Sequence, residues 1–244
     1  MSENNTDIQA GISQTPLIIY EDNHLIAVNK KCSDLVQGDS TGDQTLQGSL
    51  KIWIREKYNK PGNVFLGVIH RLDRPVSGAV LFAKTGKALA RMNNLFKTGN
   101  VKKTYWAITG VKPPENQGTL VHFLKKNQEK NKSFIAGRTS EGAKEAKLNY
   151  NVIYKFRNYY LLEIDLLTGR HHQIRCQLSA IGSPIVGDLK YGYPRSLENG
   201  GIALHSREIS FVHPVSGQEA IIRADPSGHT LWDIYLKKLI AANQ

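Results

Sequence analysis

The chain has 244 residues, of which 40% are hydrophobic and 22% charged, which excludes an intrinsically disordered protein and allows one substantial core. Its formal net charge of +11 at pH 7 favours a polyanionic partner, nucleic acid first and an anionic membrane surface second. Because the sequence has no secretory signal peptide and no apolar run near the roughly 18 residues of a membrane span, we expect a cytoplasmic protein that does not enter a membrane.

The N-terminal part of the chain predicts a tail followed by a single domain. Residues 1–15 are polar and without period, which is typical of a disordered tail, and residues 16–244 are expected to form one domain. Apolar runs at 17–20 and 25–29, separated by a polar turn, predict a β-hairpin. Helical spacing of apolar residues from Leu46 to Tyr58 then predicts a helix that Thr45 caps.

The most informative stretch is the nonapeptide HRLDRPVSG at residues 70–78. Apolar runs at 64–69 and 79–83 flank it and are typical of buried strands, so Asp73 is predicted to lie on a loop between two core strands. Loops held by a rigid scaffold often carry catalytic groups. The alternative interpretation is an ordinary surface turn in which this carboxylate pairs with a neighbouring arginine.

The middle of the chain predicts a second helix and further strands. Thr85 is placed to cap a helix whose apolar face includes Met92 and Phe96. Residues 102–109 are typical of a strand, on which Tyr105 is most simply a half-buried aromatic residue. The lysine-rich residues 125–147 predict a solvated hairpin or loop, with contact to backbone phosphates as a second possibility.

Two paired strands are predicted at 148–156 and 160–167, and a helix follows Gly169 and ends at Gly182. Arg175 lies beside the apolar side of this helix and should point partly inward, where a buried arginine needs a carboxylate or other hydrogen-bond partners.

The adjacent His171 and His172 raise the question of a metal site. Neighbouring residues on a helix point about 100° apart, so these two cannot chelate one ion well. We therefore expect structural or RNA-facing histidines and no bound metal. A short C-terminal helix beginning near Leu231 closes the chain.

Three segments resemble the motifs of RluA-type pseudouridine synthases, in the expected order. These are HRLDRPVSG at 70–78, the Lys103-Thr104-Tyr105 triplet, and TGRHHQIR at 168–175; the resemblance extends over about residues 17–240. It implies an α+β fold with a mixed, mainly antiparallel twisted β-sheet, flanking helices and no S4 domain. One departure is visible, since Lys31 replaces an expected proline and Ser33-Asp34 stand where a glycine is expected.

The resemblance implies site-specific isomerisation of uridine to pseudouridine in structured RNA, with ribosomal RNA expected before transfer RNA. Asp73 would be the catalytic carboxylate, Arg175 would pair with it and keep it ionised, and Tyr105 would stack on the reacting base. Product and substrate are isomers, so no cofactor is expected. Asp73 could act as a base on the ribose or as a nucleophile at the sugar or the base, and the sequence does not choose between these.

The expected RNA-binding residues are Arg71, Arg74, Lys30, Lys103 and Arg170, acting in a protein that we expect to be monomeric. Arg71 would fill the gap left by a flipped nucleotide or contact phosphate, with a plain ion pair as the alternative. Two other function classes remain open. A non-catalytic RNA-binding or ribosome assembly factor would show the same charge and fold, and a nucleoside glycosidase would need a second acid about 5–10 Å away.

Overall fold

The computed structural model describes residues 16–38 and 44–242, so the predicted disordered tail at 1–15 lies outside the described residues. The strands are β1 (Ile18–Glu21), β2 (Leu25–Lys30), β3 (Gly67–Val68), β4 (Ser77–Ala83), β5 (Val101–Thr109), β6 (Gln117–Asn127), β7 (Lys132–Ala136), β8 (Lys144–Phe156), β9 (Tyr159–Leu166), β10 (Leu204–Val212) and β11 (Glu219–Arg223). The helices are α1 (Leu46–Lys57), α2 (Gly86–Lys97), α3 (Gln173–Ala180) and α4 (Thr230–Ala242), and a 3-10 turn spans Leu189–Tyr191.

Within the described residues, eleven strands form one sheet. Its order is β1-β2-β4-β10-β5-β9-β8-β6-β7, with β3 added beside β4 and β11 beside β10. The pair β4–β10 is parallel and the other pairs are antiparallel, which confirms the predicted mixed, mainly antiparallel sheet. The predicted hairpin of β1 and β2 is also confirmed.

Alternation along β2 and β4 divides the N-terminal half of the core between two helices, because successive strand residues face opposite sides of a sheet. One face, which includes Leu81, packs with Ala88 and Met92 of α2. The opposite face, which includes Phe82, packs with the buried residues of α1. The predicted caps are confirmed: the hydroxyl oxygens of Thr45 and Thr85 accept hydrogen bonds from the first turns of α1 and α2.

The C-terminal half of the core lies around β5 and β9. Ile174 and Leu178 of α3, together with Trp232 and Tyr235 of α4, pack into one cluster with the apolar residues of these strands. The side of α3 that carries Ile174 is therefore held against the centre of the sheet, beside the start of β4. None of the described helices is both long and apolar enough to cross a membrane.

One predicted strand is much shorter than expected. Of residues 64–69, only Gly67 and Val68 pair, with Ala83 and Phe82, and Phe65 is 51% exposed. The reason is that β4 already pairs with β2 along one edge, while β10 pairs with the start of the other edge at Ser77. On that second edge β3 pairs only with the end of β4, and of the two residues before β3, Phe65 is exposed while Leu66 is buried.

Candidate active site

The loop that carries Asp73 connects β3 to β4 and is held by backbone contacts. The backbone oxygen of Asp73 accepts a hydrogen bond from Val76 N–H at 3.0 Å, which closes a turn. Ser33 N–H donates to Arg74 O at 2.9 Å and ties this turn to the segment after β2. The turn that carries the carboxylate is thus held by one hydrogen bond within the loop and by another to the segment after β2.

Lys30 lies inside the protein beneath this loop. Its side chain is 1% exposed, and its ammonium donates hydrogen bonds to the backbone oxygens of Lys31, Arg74 and Val76 at 2.9, 3.1 and 2.7 Å. Burial lowers the pKa of Lys30 to about 8. Because an ammonium has three donors and all are used, Lys30 cannot reach an RNA phosphate, and the expectation that it binds the RNA backbone is corrected here.

Ser33 explains how the chain tolerates the departure from the family pattern at this segment. Its φ is 75°, in the left-handed region that favours glycine, so the serine adopts the conformation for which a glycine is expected. Lys31 N–H also donates to Asp34 Oδ2 at 3.1 Å. The segment therefore keeps a tight turn at the cost of local backbone strain.

Gly78 is required where β4 begins. Its φ is 117°, and a Cβ there would lie 2.4 Å from the backbone oxygen of Ser206. This close approach is the point at which β4 and β10 pair in parallel. A side chain at this position would push the Asp73 loop away from the sheet.

Arg175 brings α3 and the Asp73 loop together. Its Nη1 donates to Asp73 Oδ2 at 3.1 Å, and its Nε and Nη2 donate to the two carboxylate oxygens of Asp188 at 2.7 and 2.9 Å. Arg175 is 5% exposed and Asp188 is 1% exposed. Burial alone lowers the pKa of Arg175, but the hydrogen bonds and charge of Asp188 outweigh burial and raise it. The inward arginine and its need for a carboxylate match the sequence prediction.

The two oxygens of Asp73 have different surroundings. Oδ2 faces Arg175 Nη1 and also lies 3.4 Å from His172 Nε2. Oδ1 has no hydrogen-bond partner among the residues that the structure describes. The Asp73 side chain is 31% exposed, so Oδ1 is available to a molecule bound beside it.

A cleft of about 430 Å³ opens above Asp73. Tyr105 lines it together with the apolar residues Leu72, Val76, Ile174 and Leu204. Tyr105 is 8% exposed, and burial raises its pKa to about 12, so the ring is a neutral wall of the cleft. The volume and the apolar lining suit a planar base placed against the carboxylate.

The structure brings three of the expected RNA-binding residues to this cleft: Arg71, Lys103 and Arg170. Arg71 is exposed, and no other described residue holds its guanidinium in a hydrogen bond or ion pair, so the plain ion-pair alternative does not fit the described contacts. Arg170 is exposed and donates from Nε to Glu145 O at 2.8 Å. Burial lowers the pKa of Lys103, whose ammonium lies 5.9 Å from the Phe96 ring. Arg74 is exposed but does not line the cleft.

The two adjacent histidines differ from the predicted arrangement. α3 begins at Gln173, after both of them, and His172 has a φ of 52°. Their rings therefore stack, with centroids 3.8 Å apart and planes 20° apart, instead of diverging as they would on a helix. The predicted divergence of the two rings was wrong because it extended the helix by two residues across the left-handed position of His172.

Sequence reasoning missed two residues at this site, Asp188 and His70. A buried arginine signalled that a carboxylate was needed, but the sequence does not show that the partner is the acidic residue of the GDLKYG segment at 187–192. His70 Nε2 accepts a hydrogen bond from Leu81 N–H at 3.1 Å, and its ring stacks on Phe96. Burial, with a smaller effect of Lys103, lowers the pKa of His70 to about 4, so it is a neutral support of the loop.

Comparison of the sequence with known proteins gives one consistent family. The sequence profile described as RNA pseudouridylate synthase matches residues 24–180. The chain is 33% identical over 204 residues to an uncharacterized RNA pseudouridine synthase of Synechocystis sp., covering 82% of this chain and 62% of that protein. It is 34% identical over 212 residues to ribosomal large subunit pseudouridine synthase C of Rickettsia prowazekii, covering 86% and 68%. The chain thus spans about two thirds of the length of these relatives.

Comparison with solved structures supports the same fold. Human RNA pseudouridylate synthase domain containing 4 superposes with a TM-score of 0.74 at 23% identity, covering 90% of this chain and 92% of that one. Human RNA pseudouridylate synthase domain containing 1 gives a TM-score of 0.68 at 26% identity, covering 90% and 86%.

Proposed function

The chain belongs to the RNA pseudouridylate synthase family, of the RluA type, and we propose that it isomerises uridine to pseudouridine at specific sites in structured RNA. The observation that carries this proposal is the position of Asp73 in the cleft. One of its oxygens faces Arg175, and the other is open to a bound molecule. The names of the relatives and the matched family support the same reaction type.

The reaction breaks the bond between C1′ of the ribose and N1 of uracil and forms a bond from C1′ to C5 of the same uracil. The proton on C5 is lost and a proton is gained at N1, so product and substrate have the same atoms and no redox or energy cofactor is required. Asp73 is the catalytic residue in this proposal. Its Oδ1 acts on the ribose as a base, or on the sugar or base as a nucleophile, while Arg175 holds Oδ2 and keeps the carboxylate ionised.

The substrate uridine must leave its stack to enter the cleft. Tyr105 lines the cleft as a neutral aromatic residue and is proposed to stack on the flipped base. Arg71 is exposed at the mouth of the cleft and is proposed to fill the gap in the RNA or to contact phosphate. Lys103, Arg170 and Arg74 are proposed to hold the RNA backbone around it.

We propose ribosomal RNA as the first substrate to test, with transfer RNA second, because the Rickettsia relative bears the name of a ribosomal large subunit enzyme. The same proposal places the protein in the cytoplasm, acting as a monomer and without a cofactor.

The two other function classes make different demands on the cleft. A nucleoside glycosidase needs a second acid, and Asp73 is the one carboxylate among the described residues that line the cleft. The nearby Asp188 is buried and bound to Arg175, so it cannot serve as that acid. A non-catalytic RNA-binding factor has no need of a carboxylate with one open oxygen, and activity measurements distinguish it directly.

The test is carbodiimide mapping of pseudouridines by primer extension. Total RNA from cells lacking this protein is incubated with the purified wild-type protein, with the Asp73→Asn variant, or with buffer. We expect a new stop in ribosomal RNA only with the wild type, because the amide cannot act as a base or nucleophile. Filter binding shows whether the variant still binds RNA.

Each other result contradicts part of the proposal. No new stop with a wild-type protein that binds RNA would favour the binding factor, and free uracil in the reaction would favour the glycosidase. A stop that also appears with Asp73→Asn would remove Asp73 from the catalytic role.

A further inference from the structure

His172 occupies a position that the reaction described above does not use. It is buried, it lies directly before α3, and its two ring nitrogens face two different groups. Nε2 lies 3.4 Å from Asp73 Oδ2, and Nδ1 lies 3.0 Å from Tyr191 Oη. The ring therefore lies between the Asp73 carboxylate and the buried hydroxyl of Tyr191.

The surroundings of Tyr191 restrict where its one hydroxyl proton can go. Its Oη accepts a hydrogen bond from Ser133 N–H at 2.9 Å. The proton can then be donated to His172 Nδ1 at 3.0 Å or to Ser133 O at 3.2 Å. Ser133 O already accepts a hydrogen bond from the thiol of Cys176, whereas His172 Nδ1 has no other donor among the residues that the structure describes. The tyrosine proton is therefore assigned to His172 Nδ1.

The carboxylate of Asp73 also favours one of the two tautomers of the His172 ring. If the tyrosine proton goes to His172 Nδ1, the ring proton is on Nε2 and points at Asp73 Oδ2. If the ring proton were on Nδ1, the Nε2 lone pair would face a carboxylate oxygen, and two acceptors would repel each other. Both constraints favour the tautomer that carries its proton on Nε2.

The ring is neutral, so this choice of tautomer matters. Burial first, and then the charge of Arg175, lower the pKa of His172 to about 2, with smaller effects of His171, Lys190 and Lys126. A neutral imidazole has a single N–H, and the geometry determines which group receives it.

We propose that His172 is a positioning residue whose Nε2–H, oriented by Tyr191, binds Asp73 Oδ2 beside Arg175 and turns Oδ1 toward the uridine. The inference rests on the proposed function of Asp73. The distance of 3.4 Å exceeds an ordinary hydrogen bond, and such contacts often shorten when substrate closes a site. Two donors on one oxygen fix the plane of the carboxylate, which a single donor leaves free to rotate.

The first test is nitrogen-15 NMR of the imidazole rings in the wild-type protein at neutral pH, with no substrate present. The spectrum of His172→Asn identifies the His172 resonances by their absence. We expect a neutral ring with its proton on Nε2. A ring protonated on Nδ1 alone, or on both nitrogens, would overturn the inference whether or not the protein is active.

The second test compares two substitutions that each remove the imidazole. The amide nitrogen of His172→Gln can reach the place of Nε2, whereas the side chain of His172→Asn is one carbon shorter and reaches only the place of Nδ1. Turnover is followed by tritium release from in vitro transcribed large-subunit ribosomal RNA labelled at uracil C5. We expect His172→Asn to lower kcat by about 10- to 100-fold with KM changed less than about twofold, and the glutamine to restore most of kcat.

The control is His122→Asn, at a histidine on β6 that contacts Gln177 of α3 and does not touch Asp73. It should leave kcat unchanged. Equal kcat losses in His172→Gln and His172→Asn, or no loss in either, would overturn the positioning role and leave a packing role. If the wild type releases no tritium from labelled ribosomal RNA or from labelled transfer RNA, the proposed function fails, and the NMR measurement still decides the tautomer.

Discussion

Asp188 binds Arg175 through both carboxylate oxygens, at 2.7 Å from Nε and 2.9 Å from Nη2. Asp188 occupies Nε and Nη2, and the remaining guanidinium nitrogen, Nη1, is directed at Asp73. Asp188 therefore sets the orientation in which Arg175 meets Asp73. The pair is also buried, so the charge of Arg175 depends on Asp188 for compensation.

Removing Asp188 should lower the stability of the protein. Asp188→Ala leaves a buried guanidinium without its main partner, and we expect the free energy of unfolding to fall by about 3–5 kcal/mol in urea titrations. The control is Asp165→Ala, at an exposed carboxylate 3.9 Å from Lys102 Nζ, which should cost less than about 1 kcal/mol. Equal losses for the two variants would mean that Arg175 does not rely on Asp188.

Lys30 should matter for stability rather than for RNA binding. In Lys30→Met the backbone oxygen of Val76 loses its donor, while that of Arg74 keeps the hydrogen bond from Ser33 N–H. We expect a loss of about 2–3 kcal/mol in the free energy of unfolding. Lys130→Met, at an exposed lysine, should change stability by less than about 0.5 kcal/mol. A Lys30→Met protein as stable as the wild type, with weaker RNA binding, would restore the original expectation for this lysine.

Replacing Ser33 with glycine should raise the stability of the protein. With φ at 75°, the serine side chain costs about 1 kcal/mol or more, whereas glycine adopts this conformation freely but loses more chain entropy on folding. The net expectation for Ser33→Gly is a gain of about 0.5 kcal/mol, and Ser33→Val should lose more than about 1 kcal/mol. Chemical denaturation measures both, with Ser140→Gly as a control outside the left-handed region. A loss of stability in Ser33→Gly would show that the strain is not at this residue.

Local rules predicted most of the elements, and contacts between distant segments account for what was missed. The caps at Thr45 and Thr85 depend on a few neighbouring residues and were visible in the sequence. The buried arginine signalled an acidic partner but could not identify Asp188 among the acids of the chain. The convergence of three carbonyl groups on Lys30 arises only when β2 and the Asp73 loop meet, so its charge alone suggested a surface role.

His205 should make stability depend on pH. Its Nε2 faces the carbonyl of Ala224 at 2.9 Å and therefore carries the proton, so Nδ1 accepts from Ser77 Oγ at 2.8 Å. Burial lowers its pKa to about 4. Between pH 6.5 and 4 the unfolded chain binds a proton that the native ring does not, so stability falls as the pH falls through this range.

The expected loss from His205 between pH 7 and pH 5 is about 2 kcal/mol. Urea titrations at pH 7 and pH 5 measure it as the difference in pH dependence between the wild type and His205→Gln. The variant should be less stable at pH 7 but should lose less on acidification. If both proteins lose the same free energy, His205 is already charged in the native state or does not titrate in this range.

The hairpin of β6 and β7 should contribute to RNA binding through its charge. Lys125 and Lys126 are exposed there, and the charge of Lys126 acts on both His171 and His172, which places it near the cleft. Each lysine that contacts a phosphate releases counterions, so removing both by substitution with glutamine should lower the salt dependence of log Kd by about 1–2 units of slope. The control replaces Lys237 and Lys238 of α4, which changes the net charge equally. Filter binding at several salt concentrations compares the two variants. Equal slopes would mean that overall charge, and not this hairpin, attracts the RNA.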